Sequence, residues 1–242
     1  MEIFWQTIAR YNAATWPMQI AITAVCIALT VLLYRKPSRG VRLAMKLFMV
    51  FLNAWIAVAY YMVYGDERSH YDVLALFWGV MAAVWLYDAV TGHTAFERTY
   101  RNDRFAWLLY AMPFVYPLLS LARGMSFPAM TSPVMPCSVA IFTIGLLLSF
   151  SRRVNLFIIL FLCHWALIGF SKVYFFRIPE DLLLGATTVP ALYLFFKEYI
   201  GINMRRRSKP DLRVINMLLM VMCAAVGVML CVSLWTEIAR MR

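Results

Sequence analysis

The chain has 242 residues, of which 63% are hydrophobic and 14% are charged, and its formal net charge is +11. Soluble domains are close to half apolar and a quarter charged, so this composition excludes an ordinary soluble domain and a disordered chain. Ten glycines, ten prolines and five cysteines exclude a collagen-like or disulfide-bonded scaffold. The composition therefore predicts a multi-pass membrane protein.

Apolar runs follow one another along the whole chain. A membrane-spanning helix needs about 20 apolar residues, and continuous runs without strand-like alternation favour helices over a barrel. We predict an all-α, polytopic transmembrane helix bundle that forms a single membrane domain over residues 1–242. The eight predicted spans are 16–34, 43–64, 72–91, 105–122, 138–151, 154–171, 182–199 and 214–235. Because the fifth run is short, a seven-span arrangement stays open, in which the fifth and sixth runs merge or one of them is re-entrant.

The residues before the first span lack the basic and apolar regions of a cleavable signal peptide. Apolar residues recur there at about helical spacing, which predicts a short interfacial helix over residues 1–15. In the fourth span, Pro113 and Pro117 predict a kinked helix, because an internal proline removes a backbone hydrogen bond.

Basic residues are concentrated in alternate loops. The stretches 35–46, 98–104, 152–153 and 197–213 carry 16 of the 23 lysines and arginines. The positive-inside rule places these loops in the cytoplasm and both termini outside. The charge then indicates contact with anionic lipid head groups at the cytoplasmic loops rather than with nucleic acid. The predicted partner is the lipid bilayer itself, and a homo-oligomer is compatible with the sequence.

The stretch 123–137 contains three prolines and few charges, and it precedes the short fifth span. Irregular backbone at membrane depth is tolerated only where protein or water satisfies it. The stretch is therefore either a loop that dips back into the bundle or an extended surface loop. In both cases Pro136 starts the fifth helix. Cys137 then lies at the positive end of that helix, which favours anions and reactive thiolates.

Two spans carry polar groups at depth. Asn53, Ala57, Tyr60 and Tyr64 fall on one face of the second span if it is α-helical. An amide near mid-membrane must find a partner, so Asn53 either joins helices or lines a pore. His164 is the deepest ionisable residue and is a functional candidate for that reason, although a histidine bonded to a neighbouring helix fits equally.

Carboxylates lie near the ends of other spans. Asp88 is predicted to reach the cytoplasmic head groups and Arg98 or Arg101. Glu180 and Asp181 open the seventh helix, where they either stabilise its N-terminus or attract a cation at an external gate. The three histidines fall at different membrane levels, so no metal site is predicted. No cofactor is indicated.

Three stretches carry a family resemblance. They are Arg10-Tyr11-Asn12 with Trp16-Pro17 and Gln19; Gly124 with Phe127-Pro128, Pro136-Cys137, 141–143 and 145–148; and 165–169 with Pro179-Glu180-Asp181. Together they resemble an uncharacterised bacterial multi-pass membrane family, a domain of unknown function. Two positions depart from the usual family pattern. This chain has Tyr61 where the family usually has a histidine, and Ser138 where the family usually has a proline. The resemblance implies a bacterial inner-membrane location and no established activity.

The N-terminal motif, the loop 123–137 and the Pro179-Glu180-Asp181 turn are all predicted at the external side, where we expect them to converge around an outward-facing cavity. The sequence favours a small-solute transporter or channel. The alternatives are a non-catalytic membrane partner or assembly subunit, and a membrane-embedded thiol enzyme that uses Cys137. An enzyme is the less favoured reading. The predicted ligand-binding residues are Asn12, Asn53, Tyr60, Cys137, His164, Glu180 and Asp181.

Overall fold

In the computed structural model of the protein, the regular secondary structure of the described residues is helical apart from one short pair of strands. The structure describes residues 2–65, 70–100, 102–153, 155–176 and 181–205. The chain divides into two compact units, Met1–Ile158 and a second that begins at Ile159.

The first unit contains five α-helices, with a π-helical segment continuing the second. These are α1 (Glu2–Arg35), α2 (Arg39–Trp55), π1 (Ile56–Val63), α3 (Tyr71–Thr91), α4 (Asp103–Ala122) and α5 (Pro136–Phe150). Two short strands, β1 (Ala95–Phe96) and β2 (Ser151–Arg153), pair antiparallel. Helix α6 (Leu156–Phe176) begins at the end of this unit and continues into the second, which also contains α7 (Asp181–Arg205).

Among the described residues, four helices are long and apolar enough to cross a membrane, namely Ile3–Arg35, Arg39–Val63, Tyr71–Thr91 and Asp103–Ala122. Three further apolar helical stretches are shorter, Pro136–Phe150, Phe157–Gly169 and Leu183–Phe195. These helices indicate a membrane-associated protein. Each of the first seven predicted apolar runs overlaps a helix. The eighth, 214–235, lies outside the described residues. Because β2 separates α5 from α6, the fifth and sixth runs form two helices and do not merge.

The helix predicted before the first span forms the start of α1, which continues without a break through Trp16 and Pro17. Its 34 residues extend about 51 Å at 1.5 Å per residue. That length exceeds the hydrocarbon thickness of a bilayer, which is about 30 Å. Helix α1 therefore has room both to span a membrane and to contact loops beyond it.

Helices α4 and α5 form a closely packed antiparallel pair. A Cβ atom at Gly145 would lie 3.0 Å from Cβ of Leu109, so glycine lets the two helices approach. Helix α4 contains both Pro113 and Pro117 and is assigned as one continuous helix through them. All residues of α5 are buried within the protein.

The second span changes its helical geometry at its midpoint. The α-helical register ends at Trp55, and wider π-helical turns follow over Ile56–Val63. The prediction that Asn53 and Tyr60 fall on one helix face assumed a continuous α-helix. Because the helix changes to π-helical turns between these residues, the α-helical spacing does not apply to them. A Cβ atom at Gly65 would lie 2.7 Å from the carbonyl oxygen of Tyr61, so the exit from this segment requires glycine.

Candidate functional site

Polar side chains of α1 hold the loop that joins α4 to α5. Nδ2 of Asn12 donates hydrogen bonds to the carbonyl oxygens of Pro128 (2.9 Å) and Met130 (2.7 Å). Nε2 of Gln19 donates to Oδ1 of Asn12 (3.1 Å) and to Oγ1 of Thr15 (2.9 Å). We call Asn12, Thr15 and Gln19 the amide clamp. It fixes a loop more than 100 residues away in sequence to the first helix.

Tyr11, next to the clamp, joins three parts of the first unit. Its hydroxyl donates to the carbonyl oxygen of Val134 (3.2 Å) and accepts a hydrogen bond from Nε1 of Trp55 (3.0 Å). Its ring packs edge-on against Tyr60 and Tyr64, at centroid distances of 5.1 and 6.0 Å. Helix α1, the second span and the α4–α5 loop therefore meet at one buried phenol.

The α4–α5 loop is buried in its second half only. Phe127 is 57% exposed, whereas Thr131 and Ser132 are buried. Oγ of Ser138 donates to the carbonyl oxygen of Ser132 (3.0 Å), and the Ser120 and Thr131 hydroxyls are hydrogen-bonded at 2.8 Å. Of the two interpretations of the stretch 123–137, an extended surface loop describes its first half. Residues 131–135 instead fold back into the protein.

Two adjoining clefts follow α1. The clamp cleft has a volume of about 640 Å³ and is lined by Asn12, Trp16, Gln19, Ile20, Thr23, Ala24, Ile27, Pro117, Phe127 and 130–133. The aromatic cleft has a volume of about 590 Å³ and extends to the other end of the helix. Its lining includes Cys26, Thr30, Tyr34, Arg35, Trp107, Tyr110, Ala111, Phe114 and Phe142. Thr23, Ile27 and Pro133 line both clefts, so the two are neighbours along α1.

The walls of these clefts are more apolar than their residue types suggest. Oγ1 of Thr23 donates to the carbonyl oxygen of Gln19 and Oγ1 of Thr30 to that of Cys26, both at 2.7 Å. Because these hydroxyls bond to their own helix, they add little polarity to the cleft. Arg35 is the one charged residue among the described residues that line either cleft. The arrangement suits an uncharged and largely apolar molecule.

An aromatic and ionic cluster lies beside the far end of the aromatic cleft. The Arg98 guanidinium stacks over the ring of Tyr34, 3.9 Å from its centroid, and its Nη2 lies 2.8 Å from Oδ2 of Asp103. The hydroxyls of Tyr34 and Ser149 are hydrogen-bonded at 2.9 Å. Arg98 therefore connects the end of α1 to the start of α4.

A buried ion pair joins α2 to α3. Nζ of Lys46 lies 2.9 Å from Oδ2 of Asp88 and also donates to the Asp88 carbonyl oxygen at 3.1 Å. Oδ1 of Asp88 accepts from the backbone N–H (2.9 Å) and the hydroxyl (2.7 Å) of Thr94. We call Lys46, Asp88 and Thr94 the ionic junction. The prediction that Asp88 reaches lipid head groups and Arg98 is wrong, since Asp88 is fully buried.

The position of Asp88 explains why it needs this partner. It lies in the last turn of α3, where the helix dipole is negative and disfavours a carboxylate. Lys46 contacts both the carboxylate and a carbonyl of that last turn, so one ammonium offsets both negative groups.

Two of the predicted ligand-binding residues of the first unit lie close to Tyr11. Tyr60 packs its ring against the ring of Tyr11, and Asn12 follows Tyr11 in the sequence and bonds to the α4–α5 loop. Nδ2 of Asn53 instead bonds to the carbonyl oxygen of Met49 in its own helix, at 2.6 Å. Cys137 is buried in the first turn of α5, and it is not among the residues that line either cleft.

Two further predicted residues belong to the second unit. Nδ1 of His164 lies 2.6 Å from the carbonyl oxygen of Leu160, one turn earlier in α6. Asp181 is buried at the start of α7. Glu180 lies outside the described residues. In the part of the chain that the structure describes, no three His, Cys, Asp or Glu residues are grouped as metal ligands would be.

Gln19 and Ser132 were not among the predicted binding residues, yet both line the clamp cleft. One sequence signal points to Gln19. Asn12, Thr15 and Gln19 stand at i, i+3 and i+7, which places three polar side chains on one face of an otherwise apolar helix. Ser132 has no comparable signal, because its burial depends on how the loop folds.

The long apolar helices indicate a membrane-associated protein, and the described part of the chain is almost entirely helical. A family of unknown function, DUF6064, matches residues 1–206. The chain belongs to this family, which confirms the expectation of a domain of unknown function. No curated protein matches the chain. No solved structure matches it either.

Proposed function

We propose that the protein is a small-solute transporter or channel of the bacterial inner membrane, with eight spans and both termini outside. The observation that supports transport is the pair of adjoining clefts along α1. Their lining runs from Asn12 to Arg35, a helical distance of about 35 Å. This distance is comparable to the hydrocarbon thickness of a bilayer, about 30 Å.

The contacts within the first unit are consistent with the orientation derived from its basic loops. Tyr34 meets Arg98 and Ser149 at one end of the unit, and Tyr11 meets Val134 at the other. The strands β1 and β2 bring the basic stretches 98–104 and 152–153 close to the same end. This end is the cytoplasmic one in the proposal, and its arginines and lysines contact anionic lipid head groups there.

Cysteine labelling tests this orientation. In a background whose five cysteines are replaced, Ser126→Cys should react with a membrane-impermeant maleimide in intact cells, and His93→Cys should react only after the membrane is opened. Both native residues are exposed and lie at opposite ends of the first unit. Equal labelling of the two positions in intact cells, or the reverse pattern, contradicts the proposed orientation.

Transport is tested in vesicles. The purified chain is reconstituted into phosphatidylcholine–phosphatidylglycerol vesicles, and entry of uncharged polyols, amides and short-chain alcohols is followed by stopped-flow light scattering. At least one solute should enter several-fold faster than into protein-free vesicles. Ala111→Phe, which fills the aromatic cleft, should abolish most of that increase. Ala28→Phe is the matched control, since Ala28 is an exposed alanine of α1 outside both clefts.

The same experiment separates transport from the alternatives. If no solute enters faster than into empty vesicles and a stoichiometric protein co-purifies with the chain, the assembly-subunit alternative is favoured. The thiol-enzyme alternative gains no support from the clefts, since Cys137 is buried and is not in their lining.

A further inference from the structure

The hydrogen bonds of the amide clamp leave one acceptor unused. Asn12 donates both amide N–H groups to the loop and accepts from Gln19 through Oδ1. Gln19 donates both of its amide N–H groups, to Asn12 and Thr15. Oε1 of Gln19 therefore has no partner among the described residues. Since Gln19 lines the clamp cleft and is only 7% exposed, this oxygen is available mainly to a molecule in the cleft.

Ser132 also lines the clamp cleft and is 8% exposed, but its hydroxyl oxygen has almost no accessible surface, so a ligand in the cleft does not contact it. Oε1 of Gln19 is therefore the acceptor that this part of the cleft offers. Because polar groups of buried side chains are normally satisfied, an acceptor without a partner in the lining of a cleft indicates a ligand that offers a hydrogen-bond donor.

The charge of the lining limits the ligand further. The described residues around the clamp cleft are apolar or carry neutral amides and hydroxyls, and none of them is ionisable at neutral pH. A charged head group would be desolvated there without a counter-ion, which is strongly unfavourable. The ligand group at Gln19 is therefore neutral, with a hydroxyl or N–H that donates to Oε1.

The aromatic cleft accounts for the remainder of the ligand. It adjoins the clamp cleft at Thr23, Ile27 and Pro133, and its walls are mostly hydrocarbon and aromatic, with Arg35 at the far end. We infer that the two clefts together bind an uncharged single-chain amphiphile. Its hydroxyl- or N–H-bearing head lies at Gln19, and its hydrocarbon chain lies along α1 towards Tyr34. This inference uses the clefts of the proposed function but concerns binding and not movement across the membrane.

The test uses a photoreactive monoacylglycerol with a diazirine and an alkyne in its acyl chain. The full chain is placed in phosphatidylcholine nanodiscs, cross-linked with this probe, and the labelled peptides are identified. Labelling should fall in the segments 16–34 and 107–142. Unlabelled monoacylglycerol should displace the probe about three- to tenfold better than the methyl ester of the same fatty acid, because the ester lacks a donor. The anionic fatty acid should also compete less well.

Variants localise the head group. Ala24→Phe fills the clamp cleft and should abolish most labelling, whereas Ala21→Phe should not, since Ala21 is an exposed alanine of α1 outside both clefts. Gln19→Leu removes the acceptor, so monoacylglycerol should lose most of its advantage over the methyl ester while the methyl ester still competes. Asn53→Leu is the matched control, because Asn53 lies outside both clefts and its amide donates to the Met49 carbonyl oxygen of its own helix.

Equal competition by monoacylglycerol and methyl ester overturns the inference. So does labelling that survives Ala24→Phe. Selective binding without solute entry into vesicles contradicts the proposed transport and leaves the inference standing. Solute entry without selective binding overturns the inference and leaves the proposed transport standing. The two failures are therefore distinguishable.

Discussion

The amide clamp and the ionic junction perform the same task with different chemistry. Each ties segments that are distant in sequence, one at each end of the first unit. The clamp uses neutral amides and hydroxyls that bond to backbone carbonyls, whereas the junction buries a full positive and a full negative charge. Losing one partner of a neutral bond leaves a single polar group unsatisfied. Losing one partner of the ion pair leaves an unpaired charge in a buried site, which costs far more. The two regions should therefore respond very differently to single substitutions.

The largest effect is expected at the ionic junction. Asp88→Leu leaves the Lys46 ammonium buried without its counter-ion and should lower the free energy of unfolding by about 3–5 kcal/mol. Unfolding in detergent, followed by tryptophan fluorescence, measures the change. The double variant Lys46→Met/Asp88→Leu is the control, and it should recover most of the loss because no charge remains buried. A single variant as stable as the wild type would show that the ammonium finds another partner or reaches water.

Asn12→Leu should have the next largest effect. It leaves the carbonyl oxygens of Pro128 and Met130 and one Gln19 N–H without partners, which should cost about 2–3 kcal/mol. Hydrogen exchange of residues 128–134 should increase as the loop detaches. Asn53→Leu is the matched control, because Asn53 donates only to a carbonyl of its own helix and its loss should cost about 1 kcal/mol. If both variants cost the same, the clamp has no special role in holding the loop.

Tyr11→Phe should have a smaller effect. The ring contacts with Tyr60 and Tyr64 remain, but the hydrogen bonds with Trp55 and Val134 are lost, at a cost of about 1–2 kcal/mol. The Trp55 indole also loses its hydrogen-bond acceptor, so its fluorescence emission should shift. Tyr87→Phe serves as the control, since this side chain is 64% exposed and its hydroxyl should contribute little. No change in either stability or emission would contradict the described contact.

The smallest effect is expected at the pair formed by Arg98 and Asp103. Their side chains are 19% and 29% exposed, so solvent screens the pair, and Asp103→Asn should cost about 0.5 kcal/mol. The Arg98 guanidinium keeps its stacking on Tyr34 in this variant. A loss as large as that of Asp88→Leu would contradict this expectation. It would show that the exposed pair contributes as much to stability as the buried pair, so that burial does not set the size of the contribution.

The hydropathy of the sequence predicts most of the helices but little of how they contact one another. Seven apolar runs coincide with helices. In an apolar environment the backbone N–H and C=O groups have no water to bond to, and a helix pairs them within the run itself. The π-helical segment after Trp55 was not predicted, since hydropathy does not distinguish π-helical from α-helical turns. Of the predicted site residues, Asn12 proved to be part of a polar cluster, while Asn53 bonds within its own helix.

The sequence by itself determined the class of the protein, its helical content and its family, because composition and local apolar runs are properties of consecutive residues. Only the tertiary structure decided which polar groups meet. Asn12 and the α4–α5 loop are more than 100 residues apart, and Lys46 and Asp88 are 42 apart. A buried polar group must find a partner, but single-sequence periodicity does not specify which distant segment supplies it. The unused acceptor of Gln19 was recognisable only once those partners were known.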